Sequence, residues 1–139
     1  PDRVADDLRR VRARGQLAGE AKMTVIRPVS LGSGFKPAAA QLFAWDNLKS
    51  LETGPSLDSS LYSRISIQIG GQFGGSTVNI EGSNDGNNWY VLIDAQDNHM
   101  RLSFPGISDI GQYSRYIRPT VLNGDVTTAI TIFAMCRGV

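Results

Sequence analysis

The chain has 139 residues, 41% of them hydrophobic and 19% charged, which suffices for one globular domain but not for two. Its net charge of +1 argues against nucleic-acid binding, and its one cysteine excludes an internal disulfide and a zinc site. No apolar run approaches the roughly 20 residues of a membrane helix, and the polar N-terminus lacks the apolar core of a signal peptide. We therefore expect a soluble protein made without a secretion signal and without a membrane partner.

Residues 1–22 form a charge-rich arm, with six Lys or Arg against four Asp or Glu. Asp2 as an N-cap, with acidic residues before basic ones, predicts a short helix that carries Val4, Leu8 and Val11 on one face. A helix this short is marginal in water, so we expect the arm to gain order by docking on this domain or on another chain. A solvated tail is the alternative. The arm lacks aromatic residues for base stacking, which argues against a nucleic-acid partner.

From residue 23 onward the apolar residues recur with a period of two, which predicts β-strands. The run "RISIQIG" places Ile65, Ile67 and Ile69 on one face, and "STVNIEG" repeats the pattern. Pro28 lacks an N–H donor and predicts an edge strand or a bend. Further strands are predicted in "MTVIRPVS", "NWYVLID", "HMRLSF", "RYIRPTVL" and "TTAITIFAMC", and one around Leu42 to Trp45. Seven or eight short strands without a helix predict an all-β, antiparallel sandwich or barrel for residues 23–139, and we expect the sandwich.

Two glycine-containing connections in this β body are predicted as hairpins. The run "GGQFGG" links two strands, with Phe73 exposed at its tip. In "EGSNDGNNW" the residues Asn84, Asp85 and Gly86 tolerate the backbone angles of a tight reversal, so the flanking strands pair and Trp89 enters the core. Both stretches are turns on this interpretation, and neither requires a ligand.

Few residues suggest catalysis. His99 is the only histidine and lies on a predicted turn with no cysteine near it, so a Ser-His-Asp or Cys-His arrangement has at most this one base and no motif around it. The carboxylates of Asp94 and Asp97 in "DAQDN" suit acid–base work or calcium binding, but Asp and Asn are also typical of turns, and we favour the turn. Cys136 lies in an apolar run, which favours a buried thiol. We predict no catalytic residue, no cofactor and no metal, and hence a protein that is not an enzyme.

Two motifs resemble known families over about residues 61–135. They are "GSNDGNNWYVL", Gly82–Leu92, and "RYIRP", Arg115–Pro119. The chain resembles tailed-bacteriophage capsid cement or decoration proteins, and it is more weakly similar to discoidin or galactose-binding-like sandwich domains. The first resemblance implies a jelly-roll-like sandwich that forms homodimers on the capsid surface of the virion, is made in the host cytoplasm, and cements neighbouring major capsid subunits. The second implies a carbohydrate-binding module in a phage tail or host protein, with loops 84–88 and 94–98 as its site.

The missing signal peptide and disulfide favour the cement interpretation. Its partner interface is predicted in the arm, because arginine is common at interfaces and can pair bidentately with carboxylates. Aromatic residues near glycine-rich loops are secondary candidates, and each is equally suited to the core. The candidates are Leu8, Arg9, Arg10, Val11, Arg12 and Arg14, with Phe35, Trp45 and Phe73 as the secondary set. Arg115 and Arg118 are expected to brace strands or pair with acids inside the domain.

Overall fold

The computed structural model describes residues 26–29 and 40–138, and every regular element in these ranges is a β-strand. No helix there has the length and apolar character needed to cross a membrane. The predicted arm, residues 1–22, lies outside the described residues. The strands are β1 (Ile26–Val29), β2 (Ala40–Leu48), β3 (Leu57–Asp58), β4 (Arg64–Gln72), β5 (Ser76–Ser83), β6 (Tyr90–Val91), β7 (Arg101–Leu102), β8 (Gly106–Asp109), β9 (Tyr116–Asn123) and β10 (Ala129–Arg137).

The strands form two antiparallel sheets. Sheet A has the order β1-β2-β10-β4-β8, and sheet B has the order β3-β9-β5-β6, with β7 also pairing β5. The pairs are nested along the chain: β2 with β10, β3 with β9, β4 with β8, and β5 with β6. Such nesting describes one long antiparallel hairpin folded over so that its strands alternate between two sheets, which is the jelly-roll arrangement. The predicted all-β sandwich is confirmed.

The core lies between the two sheets and follows the predicted alternation. Ile65, Ile67 and Ile69 of β4 are buried, and Val78 and Ile80 of β5 belong to the same apolar cluster. Side chains on alternate positions of a strand point to one face, so each sheet contributes every second residue. The cluster also holds Trp45, Leu48, Ile117, Val121, Ile130, Ile132 and Ala134.

The glycine run at residues 70–75 is not a hairpin, which corrects the sequence prediction. It joins β4 in sheet A to β5 in sheet B, so the two strands that flank it do not pair. Gly71 has φ of 112°, a conformation that favours glycine. Phe73 is half-buried and packs against the core instead of projecting from a tip. Turn residues in a sequence predict that the chain changes direction, but they do not predict whether the next strand joins the same sheet or the other one.

The predicted reversal between β5 and β6 is confirmed, with Gly82 opposite Tyr90 and Gly86 at φ of 77°. The predicted position of Trp89 is wrong. Leu92 is the buried residue after this turn, whereas Trp89 is half-buried and lies beneath the guanidinium group of Arg118. Trp89 precedes β6 and packs against the Arg118 side chain of β9 instead of entering the core.

Sheet A has two edge strands, β1 and β8, and the sequence predicted the first but not the second. β1 forms one edge, so Pro28 lies on an edge strand, as its missing N–H predicts. β8 forms the opposite edge and was not predicted. Its sequence, "GISD", is only four residues long and contains one large apolar residue, which is too little for a recognisable alternation.

Candidate functional site

The β5–β6 loop, residues 84–89, is held by the carboxylate of Asp85. Asp85 Oδ1 accepts hydrogen bonds from Ser83 Oγ at 2.9 Å, Asn87 N at 2.8 Å and Asn88 N at 2.9 Å. Its Oδ2 accepts from Asn88 Nδ2 at 2.8 Å. These donors, led by the backbone N–H groups of Asn88 and Asn87, hold the pKa of Asp85 far below its ordinary value. The loop is therefore held by several hydrogen bonds although residues 84–88 are exposed.

An open groove of about 410 Å³ lies between this loop and residues 112–114. We call it the Asn88 groove, and its main lining residues are Asn84, Asp85, Asn88, Tyr90, Gln112 and Tyr113. Tyr90 and Tyr113 are 72% and 81% exposed. Tyrosine is usually at least partly buried, so two such rings lining one groove offer an uncovered aromatic surface.

Two amide side chains fix the walls of the Asn88 groove. Asn84 Oδ1 accepts a hydrogen bond from Arg115 N at 2.9 Å, and Gln112 Oε1 accepts one from Ile93 N at 2.8 Å. Both bonds use the carbonyl oxygen, so the two NH₂ groups stay available as donors. Neither NH₂ group donates to another residue of the described ranges. The groove thus has two amide side chains that are held in place through their oxygens and whose NH₂ groups are available to a ligand.

A second groove of about 300 Å³ adjoins the first and shares Gln112, Tyr113 and Ser114 with it. We call it the Asp109 groove. Arg64 Nη2 lies 3.3 Å from Asp109 Oδ2 at this groove, and both side chains are well exposed, so the pair adds little to stability. Tyr62 also lines it, and burial, with a smaller effect of Cys136, raises the pKa of its hydroxyl group.

An apolar groove of about 210 Å³ lies beside β8. We call it the edge groove, and its apolar lining consists of Ile67, Ile69, Leu102, Phe104, Pro105 and Ile107. Phe104 and Ile107 are 74% and 67% exposed. The C-terminal half of β8 is covered on its outer side, because Ala95 N donates to Asp109 O at 3.0 Å. The N-terminal half of β8, which borders the edge groove, pairs with β4 on one side and has no neighbouring strand on its outer side within the described part of the chain.

The predicted interface residues fall into two groups. Leu8, Arg9, Arg10, Val11, Arg12, Arg14 and Phe35 lie outside the described residues. Trp45 is a correction: it is 1% exposed in the core, and its Nε1 donates to Pro55 O at 2.8 Å, so it offers no contact surface. Phe73 is half-buried against the core. The tyrosines and the edge-groove residues were missed, because the chain brings together residues that are far apart in sequence.

The acidic turn residues show no metal centre. Asp94 Oδ1 accepts hydrogen bonds from Gln96 N and Asn98 N, both at 2.9 Å, which is the pattern of a turn. In the described ranges no three His, Cys, Asp or Glu side chains come together as metal ligands. His99 is exposed, as predicted. Cys136 is buried, also as predicted, and burial raises the pKa of its thiol to about 12.

No protein-family model matches the chain, and no curated protein matches it. Among solved structures the chain is similar to the SPBc2 prophage-derived protein YomS, at 11% identity and a TM-score of 0.56, over 70% of this chain and 93% of that one. A second similar structure, at 7% identity and a TM-score of 0.48 over 87% and 88% of the two chains, is an RmlC-like cupin protein from Desulfovibrio desulfuricans. The likeness to YomS supports the β fold.

Proposed function

We propose that the protein is a structural component of a tailed-phage particle, which binds the outside of the capsid and cements neighbouring major capsid subunits. The edge groove is the observation that carries this proposal. Phe104 and Ile107 expose large apolar surfaces beside a cavity, and clustered exposed apolar groups are typical of contact surfaces. The fold likeness to a prophage-derived protein supports a phage setting.

The jelly roll suits a mechanical task. Sheet A crosses the domain from β1 to β8, and its backbone hydrogen bonds join every neighbouring pair of strands. The edge groove combines Ile67 and Ile69 of β4 with β8 and the short β7–β8 connection that carries Phe104. In this proposal the arm, residues 1–22, supplies a second contact through Leu8 and Val11 and through the four arginines of the predicted interface. Two weak contacts on one body reinforce each other through effective concentration.

The protein acts by binding and not by catalysis, it is a homodimer, and its place is the outer capsid surface of the virion. A dimer doubles the number of contacts that one unit makes with the capsid, so it spans a joint between subunits better than a monomer does. Sedimentation equilibrium of the purified protein measures the dimer directly.

Co-sedimentation with capsids tests the function. Purified protein is mixed with capsids assembled from the major capsid protein of the same phage, and occupancy and capsid melting temperature are measured. We expect saturable binding and a higher melting temperature. The double variant Phe104→Ser and Ile107→Ser, and separately the deletion of residues 1–22, should each lower the affinity by about tenfold or more.

Val126→Ser is the matched control, because Val126 is 98% exposed but lines none of the three grooves described above. It should bind capsids like the unaltered protein. Absence of binding to capsids would refute the proposal. Unchanged occupancy for both the double variant and the deletion would show that neither surface is the capsid contact.

A further inference from the structure

We propose that the Asn88 groove binds a neutral oligosaccharide, with Tyr90 and Tyr113 as aromatic contacts. The proposal goes beyond capsid binding and does not depend on it. The groove, at about 410 Å³, falls within the roughly 300–1,000 Å³ range of small-molecule sites. It is open at the surface, which suits one or two units of a longer chain.

The two exposed tyrosines supply the apolar part of such a site. A pyranose ring carries C–H groups on its faces and hydroxyl groups around its rim, so it packs against an aromatic ring and forms hydrogen bonds at its edge. Tyr90 and Tyr113 both line the groove, and each has a hydroxyl group that makes no hydrogen bond to another described residue. Tyrosine thus combines the two kinds of contact that a sugar needs.

The amide groups supply directional hydrogen bonds. The NH₂ groups of Asn84 and Gln112 are donors on side chains whose oxygens are already fixed by Arg115 N and Ile93 N. Asn88 is fixed in the opposite sense, because its Nδ2 donates to Asp85 and its oxygen is left as an acceptor. Donors and an acceptor that are held in place before binding lose little conformational entropy when a ligand arrives.

The charge of the groove selects against anionic sugars. Asp85 is its carboxylate, and the lowered pKa keeps that carboxylate ionised at neutral pH. None of its lining residues is Lys, Arg or His. A sialic or uronic acid would meet a like charge without a counter-charge, and like charges brought together oppose binding. The site therefore favours uncharged units such as hexoses and N-acetylhexosamines.

The adjoining Asp109 groove extends the site past Tyr113. Tyr113 lines both grooves, so a ligand bound beside it in one groove can continue into the other. The loop 94–98 does not line the Asn88 groove, and only Ala95 of that loop lines the Asp109 groove. The groove geometry thus favours loop 84–88 together with residues 112–114.

Binding is tested with the free protein on an array of glucose-, galactose- and N-acetylglucosamine-based oligosaccharides and their sialylated counterparts. The affinity for the best neutral probe is then measured by titration calorimetry. We expect saturable binding to neutral probes and weaker binding to sialylated ones. Tyr113→Ala and Tyr90→Ala should each weaken binding by about tenfold or more, and Tyr113→Phe by less, because it keeps the ring.

Val126→Ala is the control, since it removes an exposed apolar side chain that lines none of the three grooves and should leave sugar binding unchanged. Circular dichroism confirms that each variant is folded. A lack of saturable binding to any neutral probe overturns the proposal, and so does unchanged affinity in both Tyr→Ala variants. The assay contains no capsids, so its failure and the failure of capsid binding are separate results.

Discussion

Arg118 places its guanidinium carbon 4.1 Å from the centroid of the Trp89 ring. The same guanidinium donates from Nε to Glu81 Oε1 at 2.9 Å, and Glu81 Oε1 also accepts from Thr120 Oγ1 at 3.1 Å. β5, the β5–β6 loop and β9 are thereby joined on one side of sheet B. The sequence predicted that Arg118 braces strands or pairs with an acid, and both roles are confirmed.

Replacing this arginine tests the stacked pair. Arg118→Lys keeps the charge but loses the planar group that stacks on Trp89 and donates to Glu81 at a fixed angle. We expect the free energy of unfolding to fall by about 1 kcal/mol. Urea denaturation followed by circular dichroism measures it. Arg101→Lys, at an exposed strand position, should change the same quantity by less than about 0.5 kcal/mol, and equal losses in the two variants would contradict the assignment.

The carboxylate of Asp85 should make stability depend on pH. Its folded-state pKa lies below the ordinary value, so its contribution is fully present above the unfolded-state pKa and is lost as the pH falls through the folded-state pKa. Asp85→Asn removes the charge and nearly preserves the shape. We expect the variant to be less stable than the unaltered protein at pH 7, with a gap that narrows once the pH falls below about 4.

Urea midpoints at pH 7, 4 and 3 measure that gap. Asp97→Asn is the control, because the Asp97 side chain makes no hydrogen bond to another described residue and asparagine tolerates its φ of 68°. That control should differ little from the unaltered protein at every pH. A gap for Asp85→Asn that is constant from pH 7 to pH 3 would refute the role of the ionised carboxylate.

Two adjacent glycines offer a matched test of the crossing between the sheets. A Cβ on Gly71 would overlap the carbonyl oxygen of Ala129, and its φ of 112° is unfavourable for alanine. A Cβ on Gly70 would meet nothing within 4 Å. We expect Gly71→Ala to lower the free energy of unfolding by roughly 2 kcal/mol or more, and Gly70→Ala to change it by less than about 0.5 kcal/mol. Thermal unfolding of both variants measures the contrast, and similar melting temperatures would contradict it.

The thiol of Cys136 should be inert in the folded protein. It is fully buried, and burial raises its pKa to about 12, so almost no thiolate forms at pH 8. We expect a thiol reagent such as dithiobis-nitrobenzoate to modify it at least about 100-fold more slowly in buffer than in 6 M guanidinium chloride. The absorbance of the released product follows the reaction. Rapid modification of the folded protein would show that this end of β10 opens readily.

The body of the fold could be predicted from the sequence because its strands are long enough to show their period. Ile65, Ile67 and Ile69 reveal a buried face by themselves, and the pairing of β5 with β6 follows from the turn residues around Gly86. The nested pairing could not be derived from composition or period. It depends on which strands meet across sequence separations of up to 97 residues, as in Ala40 opposite Arg137.

The candidate surfaces were harder to predict than the strands. Tyr90 and Tyr113 are separated by more than twenty residues, and nothing local distinguishes either from a core tyrosine. Trp45 and Trp89 were misplaced for a related reason, since an aromatic residue in an alternating strand can face either side.

The nested order of the strands also constrains when the polypeptide can fold during its synthesis. β10 lies between β2 and β4 at the middle of sheet A, so those two strands lack their shared neighbour until residues 129–137 have left the ribosome. Sheet A therefore cannot form completely before β10 has been synthesised. Its strand contacts also join residues that are distant along the chain, and such contacts slow folding. We therefore expect a nascent chain shortened before residue 129 to be recognised by chaperones or degraded instead of accumulating as a stable fragment.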